Sequence, residues 1–135
     1  MPTSDNPIYL DSSALVKRAI VEPESAALEA FLIERPQRAS CALARTEVIR
    51  AVSSHGSDAV RRARDVITGL SEIIQLKDEL LDRAANLEPP ALRSLDAIHL
   101  AAALELADEP GELVTYDQRM QDAARALGFT VVAPA

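Results

Sequence analysis

The chain has 135 residues, of which 48% are hydrophobic, and a formal charge of −7 at pH 7. That length suits one domain, spanning residues 1–135, that buries roughly 70% of its unfolded surface, and the apolar content excludes a disordered chain. The composition also excludes a broadly basic nucleic-acid surface, an internal disulfide (Cys41 is the only cysteine) and a membrane span, since Asp96, His99 and Glu105 interrupt the most apolar stretch.

The first strand is expected at Ile8 to Asp11, preceded by a segment with neither a basic region nor a long apolar run. No signal peptide is expected there, and one unpaired cysteine fits a reducing cytoplasm. Ser12 or Ser13 is the expected cap of a short helix through Arg18. Glu22-Pro23-Glu24 opens a second helix, closed by Arg35-Pro36, and Arg38 to Cys41 reads as a weak strand. Ala42 to Ser54 forms the third helix; Asp58 caps the fourth, which runs to about Gly69. A strand at Ile73 to Leu76 and a helix at Lys77 to Leu87 precede the break at Glu88-Pro89-Pro90. Ser94 caps an apolar helix ending near Asp108, followed by strand Glu112 to Thr115, helix Gln118 to Leu127, a stop at Gly128 and strand Thr130 to Ala133. This alternation predicts an α/β domain with a mostly parallel sheet.

Four acids fall where charge is expensive. Asp11 ends the run Ile8-Tyr9-Leu10, and Asp117 follows Leu113-Val114-Thr115-Tyr116. Asp96 opens the apolar helix, and Glu47 borders the stripe Ala44, Val48, Ala51 and Val52. Buried carboxylates are neutralised, paired or bound to metal, and no set of buried Lys or Arg offers itself as counter-charge. Asp11 and Asp117 are expected at the carboxyl ends of strands, where open α/β sheets gather ligands. All-oxygen donors suit Mg²⁺ or Mn²⁺ rather than zinc, and two such ions serve in-line displacement at phosphorus.

The segments Ile8 to Lys17, Leu43 to Glu47, Leu92 to Ala101 and Val114 to Met120 resemble, in this order, those of PIN-domain ribonucleases, especially VapC-type toxins. The resemblance implies a PIN-like three-layer α/β/α domain and a Mg²⁺-dependent endoribonuclease, with Mn²⁺ as a substitute. It implies Asp11, Glu47, Asp96 and Asp117 as the catalytic, metal-site acids. Asp11 and Asp96 are the direct ligands, with Glu47 and Asp117 acting through water or on the nucleophile. Ser13 and Thr115 are expected to hydrogen-bond these acids. Lys17, Arg18, Arg45, Arg93 and Arg119, which flank the acidic segments, are the expected local contacts for RNA. The implied partners are a tRNA or ribosomal RNA substrate, a VapB-like antitoxin bringing a basic segment to the acidic cleft, and a second copy of the chain in a homodimer.

His99, one turn beyond Asp96, reads as a core histidine that can also touch the site, and Tyr116 as a packing residue. A haloacid-dehalogenase-like phosphatase needs a second aspartate where this chain has Ser13, and the paired acids of a receiver domain are missing. The remaining alternative is a catalytically silent PIN-like interaction module, against which the intact acidic quartet counts.

Overall fold

Strands and helices alternate along residues 6–135, the part of the chain that the computed structural model describes; the reading of the first five residues lies outside it. The order is β1 (Ile8–Leu10), α1 (Ser12–Ala19), α2 (Ser25–Leu32), β2 (Arg38–Cys41), α3 (Ala44–Val52), α4 (Ser57–Thr68), β3 (Glu72–Ile74), α5 (Asp78–Ala85), α6 (Ser94–Leu104), β4 (Glu112–Val114), α7 (Gln118–Ala126) and β5 (Thr130–Val132). A 3₁₀ turn, Ser53–His55, extends α3. Every strand pair is parallel, and the sheet order is β3-β2-β1-β4-β5.

The strands are short and the central ones apolar because both faces of the sheet are covered. Successive side chains point to opposite faces, so β1 serves two cores. Tyr9 joins Cys41 and Leu113 against Leu80 of α5, Leu100 of α6 and Met120 of α7. Ile8 and Leu10 join Val114 against Leu15 of α1, Leu28 of α2, Val48 of α3 and Ala63 of α4. The result is the expected three-layer α/β/α sandwich. No helix among the described residues is long and apolar enough to cross a membrane.

Several helix starts differ from expectation. Asp11, not Ser12 or Ser13, caps α1: its backbone is extended and its carboxylate accepts the Ala14 N–H. The ionised side chain already at the strand exit outcompetes the hydroxyls, which fall inside the helix. Ser94 is the first residue of α6 and Arg93 takes the cap position; Gly56 precedes α4, leaving Asp58 in its first turn. The Gly128 stop holds. At φ +96 it permits Phe129 N–H to reach Ala124 O and its own N–H to reach Arg125 O, the paired bonds of a Schellman end.

Topology fixes where a ligand meets this fold. β1 continues into α1 on one face, while its neighbour β4 continues into α7 on the other. Adjacent strands with connections leaving in opposite directions open a crevice at their carboxyl ends. Asp11 follows β1 there, and Thr115 to Asp117 follow β4.

Candidate active site

Asp11 is 4% exposed and its bonds come from neutral groups. Oδ1 accepts the Ser13 hydroxyl at 2.6 Å and the Ala14 N–H at 3.1 Å; Oδ2 accepts the Thr115 hydroxyl at 2.6 Å. Burial pushes its pKa up, prevailing over the Ser13 and Thr115 bonds, the charge of His99 and the Ala14 N–H, which pull it down. Thr115 Oγ1 also accepts the Asp117 N–H at 3.2 Å, so one hydroxyl ties the exit of β1 to the exit of β4. Ser13 Oγ does similar work, accepting the Tyr116 N–H at 3.0 Å. Ser13 and Thr115 therefore stand beside Asp11 as expected.

Glu47, in the first turn of α3, faces a different set. Its Oε1 accepts the Ser12 hydroxyl and His99 Nε2, both at 2.7 Å. His99 is 3% exposed; its Nδ1 lies 2.7 Å from the Tyr9 hydroxyl and 3.7 Å from Cys41 Sγ. Burial opposes a charge on His99, but the Cys41 and Glu47 contacts and the charge of Asp11 outweigh it and push the pKa up to about 10. With both ring nitrogens protonated, Nε2 donates to Glu47 and Nδ1 to the Tyr9 oxygen. Burial would raise Glu47; the His99 and Ser12 bonds prevail and hold it below 4.5. His99 is thus a core residue and a site contact at once.

Asp96 and Asp117 share a cation that the sequence reading left out as counter-charge. Arg93 Nε donates to Asp96 Oδ2 at 3.0 Å, and Nη2 donates to Asp117 Oδ2 at 3.2 Å. Asp117 also caps α7, its Oδ1 accepting the Met120 N–H at 3.1 Å. Among the described residues the counter-charge comes from no buried Lys or Arg, in keeping with expectation, but from a rim arginine and a buried histidine. Arg93 escapes that reading because it sits on the rim, 56% exposed, and His99 because its charge depends on neighbours distant in sequence.

The donor chemistry fits a hard divalent cation, since every acid offers oxygen. As the side chains stand, no three acids, histidines or cysteines among the described residues gather closely enough to share an ion. Arg93 spans two of them and Glu47 turns to His99. The hydrogen bonds of Asp96 and Glu47 engage only Oδ2 and Oε1, respectively. The acids fit a hard cation by their donor chemistry, with one oxygen each on Asp96 and Glu47 outside these bonds.

The other basic residues divide. Lys17 pairs with Glu22 at 3.3 Å and Glu24 at 2.9 Å and lies over the Tyr116 ring; Arg18 pairs with Glu29 at 2.8 Å. Both are engaged with the α2 region rather than turned to the acids. Arg45 lines a cavity of about 360 Å³ with Arg64, Ile67 and Thr68, between α3 and α4. Arg119 lines one of about 370 Å³ with Arg93, Asp96 and Asp122, beside the acids. The Tyr116 hydroxyl donates to Pro134 O at 2.7 Å, as suits a packing role. Ser12, Tyr9 and Cys41 were not foreseen at the site; adjacency to Asp11 was the available signal for Ser12, and only pairing through His99 reveals the others.

Comparison with known proteins agrees with this geometry. The model of the PIN domain family matches residues 8–126. The chain is 50% identical over 127 residues to Ribonuclease VapC46 of Mycobacterium tuberculosis, covering 94% of this chain and 97% of that protein. It is 39% identical over 132 residues to Ribonuclease VapC47 of the same organism, covering 94% and 96%. Among solved structures, M. tuberculosis VapC20, described as a sarcin-ricin loop cleaving toxin, superposes with a TM-score of 0.73 at 15% identity over 94% of this chain and 99% of that one. A toxin-antitoxin complex from Klebsiella pneumoniae contains a chain that superposes at 0.69, with 23% identity and coverage of 95% and 98%. These two likenesses establish the fold.

Proposed function

The chain belongs to the PIN-domain family, among the VapC-type toxins, and from that premise we propose that it is a Mg²⁺-dependent endoribonuclease, the toxin of a toxin–antitoxin pair. The observation that carries this reading is the buried Asp11, placed at the β1–β4 crevice and held by hydroxyls rather than by a direct ion pair. Asp11 and Asp96 would hold the cation. Mg²⁺, or Mn²⁺ in its place, supplies Lewis-acid activation of water and neutralises charge developing on the phosphate. Glu47, kept ionised by His99 and Ser12, accepts a proton from the attacking water. Asp117, fixed by its cap bond to Met120, orients that water. Thr115 and Ser13 hold the Asp11 carboxylate in position.

Water attacks phosphorus, the P–O3′ bond breaks and the 3′-oxygen leaves with a proton, so cleavage leaves a 5′-phosphate and a 3′-hydroxyl. The substrate is an RNA of the tRNA or ribosomal class, met locally by Arg93 and Arg119. An arginine from a VapB-like antitoxin suits the same acids, and a homodimer sets two crevices side by side. The test is cleavage of total RNA by the native chain in Mg²⁺ and in EDTA, beside Asp96→Ala, with end mapping. Cleavage that persists in EDTA, or 2′,3′-cyclic phosphate ends, would overturn the mechanism.

A further inference from the structure

Arg93 differs from the arginines that hold this fold together. Arg38 and Arg62 donate to backbone carbonyls, and Arg35 locks onto Glu112 across the sheet edge. Arg93 makes no such anchor. Its side-chain bonds go to two of the site acids, Asp96 and Asp117, and more than half of the side chain is exposed. It also lines a cavity of about 370 Å³ together with Asp96, Leu92, Arg119 and Ala123.

We propose that Arg93 is a phosphate-positioning residue with two stations: across Asp96 and Asp117 while no divalent ion is held, and on an RNA phosphate once an ion is held by Asp96 together with Asp11. This rests on the reading of the crevice as a metal-dependent ribonuclease site. The chemistry of the two stations is alike, because a guanidinium fork matches a phosphate as well as a carboxylate. A divalent ion on Asp96 competes with the guanidinium for the same carboxylate and repels it electrostatically. Leaving the first station costs little, since an exposed ion pair contributes little and exchanges its partner readily for water. The consequence is linkage. An ion that displaces Arg93 releases it for RNA, and an RNA phosphate that captures Arg93 clears the carboxylates for the ion, by the same factor in each direction. Before the ion arrives, the contact also spares the crevice the repulsion of two neighbouring uncompensated acids.

The experiment compares the native chain, Arg93→Gln and Arg93→Lys, each checked for native circular dichroism. Mn²⁺ binding is followed by electron paramagnetic resonance without RNA, and KM and kcat for a fluorogenic RNA oligonucleotide are measured at saturating Mn²⁺. Arg93→Gln should bind Mn²⁺ about fivefold more tightly, the factor set by losing an exposed competing ion pair. The same variant should show a KM raised severalfold, so that metal and RNA affinities move in opposite directions. Arg93→Lys, which keeps the charge without the fork, should bind Mn²⁺ close to the native value and recover only part of the KM. A merely structural Arg93 would weaken both together. Mn²⁺ binding unchanged or weakened in Arg93→Gln overturns the proposal, as does an unchanged KM or a crevice that binds Mn²⁺ in none of the three proteins. Cleavage that proceeds equally well in EDTA would sink the metal-dependent reading itself, and tighter Mn²⁺ binding by Arg93→Gln would still support the first station.

Discussion

Asp11 and Asp117 end neighbouring strands of one sheet, yet Asp11 is 4% exposed and bonded to hydroxyls and an N–H, whereas the Asp117 side chain is 37% exposed and leans on a guanidinium. Hydroxyl bonds fix a carboxylate's position without cancelling its charge. An ion pair cancels the charge but, at the surface, fixes position weakly. On the proposed reading the dry limb sets where a cation would sit, and the wet limb sets when that place is free. Glu47 lies between these cases, half-buried and paired with a histidine whose pKa the fold raises to about 10.

Asp11→Asn should break the comparison most sharply. RNA cleavage should fall by more than about 100-fold, as for loss of a metal-orienting group. The urea midpoint of the metal-free protein should hold or rise. The sign follows from the raised pKa of Asp11: above its folded pKa the ionised carboxylate is penalised, and the penalty is relieved as pH falls through that value. Loss of folding together with activity would place Asp11 in the scaffold instead.

Mg²⁺ should come next. At a hundredfold excess over its dissociation constant it should stabilise the native state by about 2.7 kcal/mol relative to EDTA, seen as a higher melting midpoint. Equal midpoints would show that the crevice holds no ion without RNA.

Thr115→Val tests the tie between the limbs, since it removes the donor to Asp11 and the acceptor of the Asp117 N–H. It should cost about 2 kcal/mol in urea denaturation, with Thr115→Ser recovering most of it. A neutral Thr115→Val would mean that packing alone holds Asp11.

Glu47→Gln should produce a stability loss with a pH window. Glu47, with its lowered pKa, contributes above the unfolded value of 4.5 and loses its contribution as pH falls through the lower folded value. His99, with its raised pKa, contributes fully below 6.5 and loses its contribution as pH rises through about 10. The difference between native and Glu47→Gln should therefore be greatest between about pH 4.5 and 6.5 and vanish above about 10. A difference that is flat with pH would show His99 to be uncharged. Arg93→Gln should have the smallest effect on stability, one that disappears at high salt because the pair is exposed.

Much of this was legible in advance. Ile8-Tyr9-Leu10 before Asp11 and Leu113-Val114 before Asp117 announce buried strands with an acid at each exit, and even the weak strand Arg38–Cys41 takes its expected place. The helix starts were harder. Seryl and aspartyl side chains compete for a cap over one or two residues, and the backbone angle at the strand exit, not composition, awards it to Asp11. The basic residues were read by adjacency along the chain, which is why Lys17 and Arg18 were placed with Arg93 although they answer Glu22, Glu24 and Glu29.

The sequence by itself determined the elements, the two-faced burial of β1 and the four acids at strand exits and helix starts, because these follow from local periodicity and the cost of burying charge. Only the tertiary structure decided the partners. Thr115 meets Asp11 because β4 lies beside β1, and His99 meets Glu47 because α6 and α3 pack on opposite faces of the sheet and converge at its carboxyl edge. Arg93 reaches Asp117 because α7 begins beside the start of α6. Such pairings depend on strand order and on side-chain directions across contacts far apart in the chain, and neither leaves a period in the sequence.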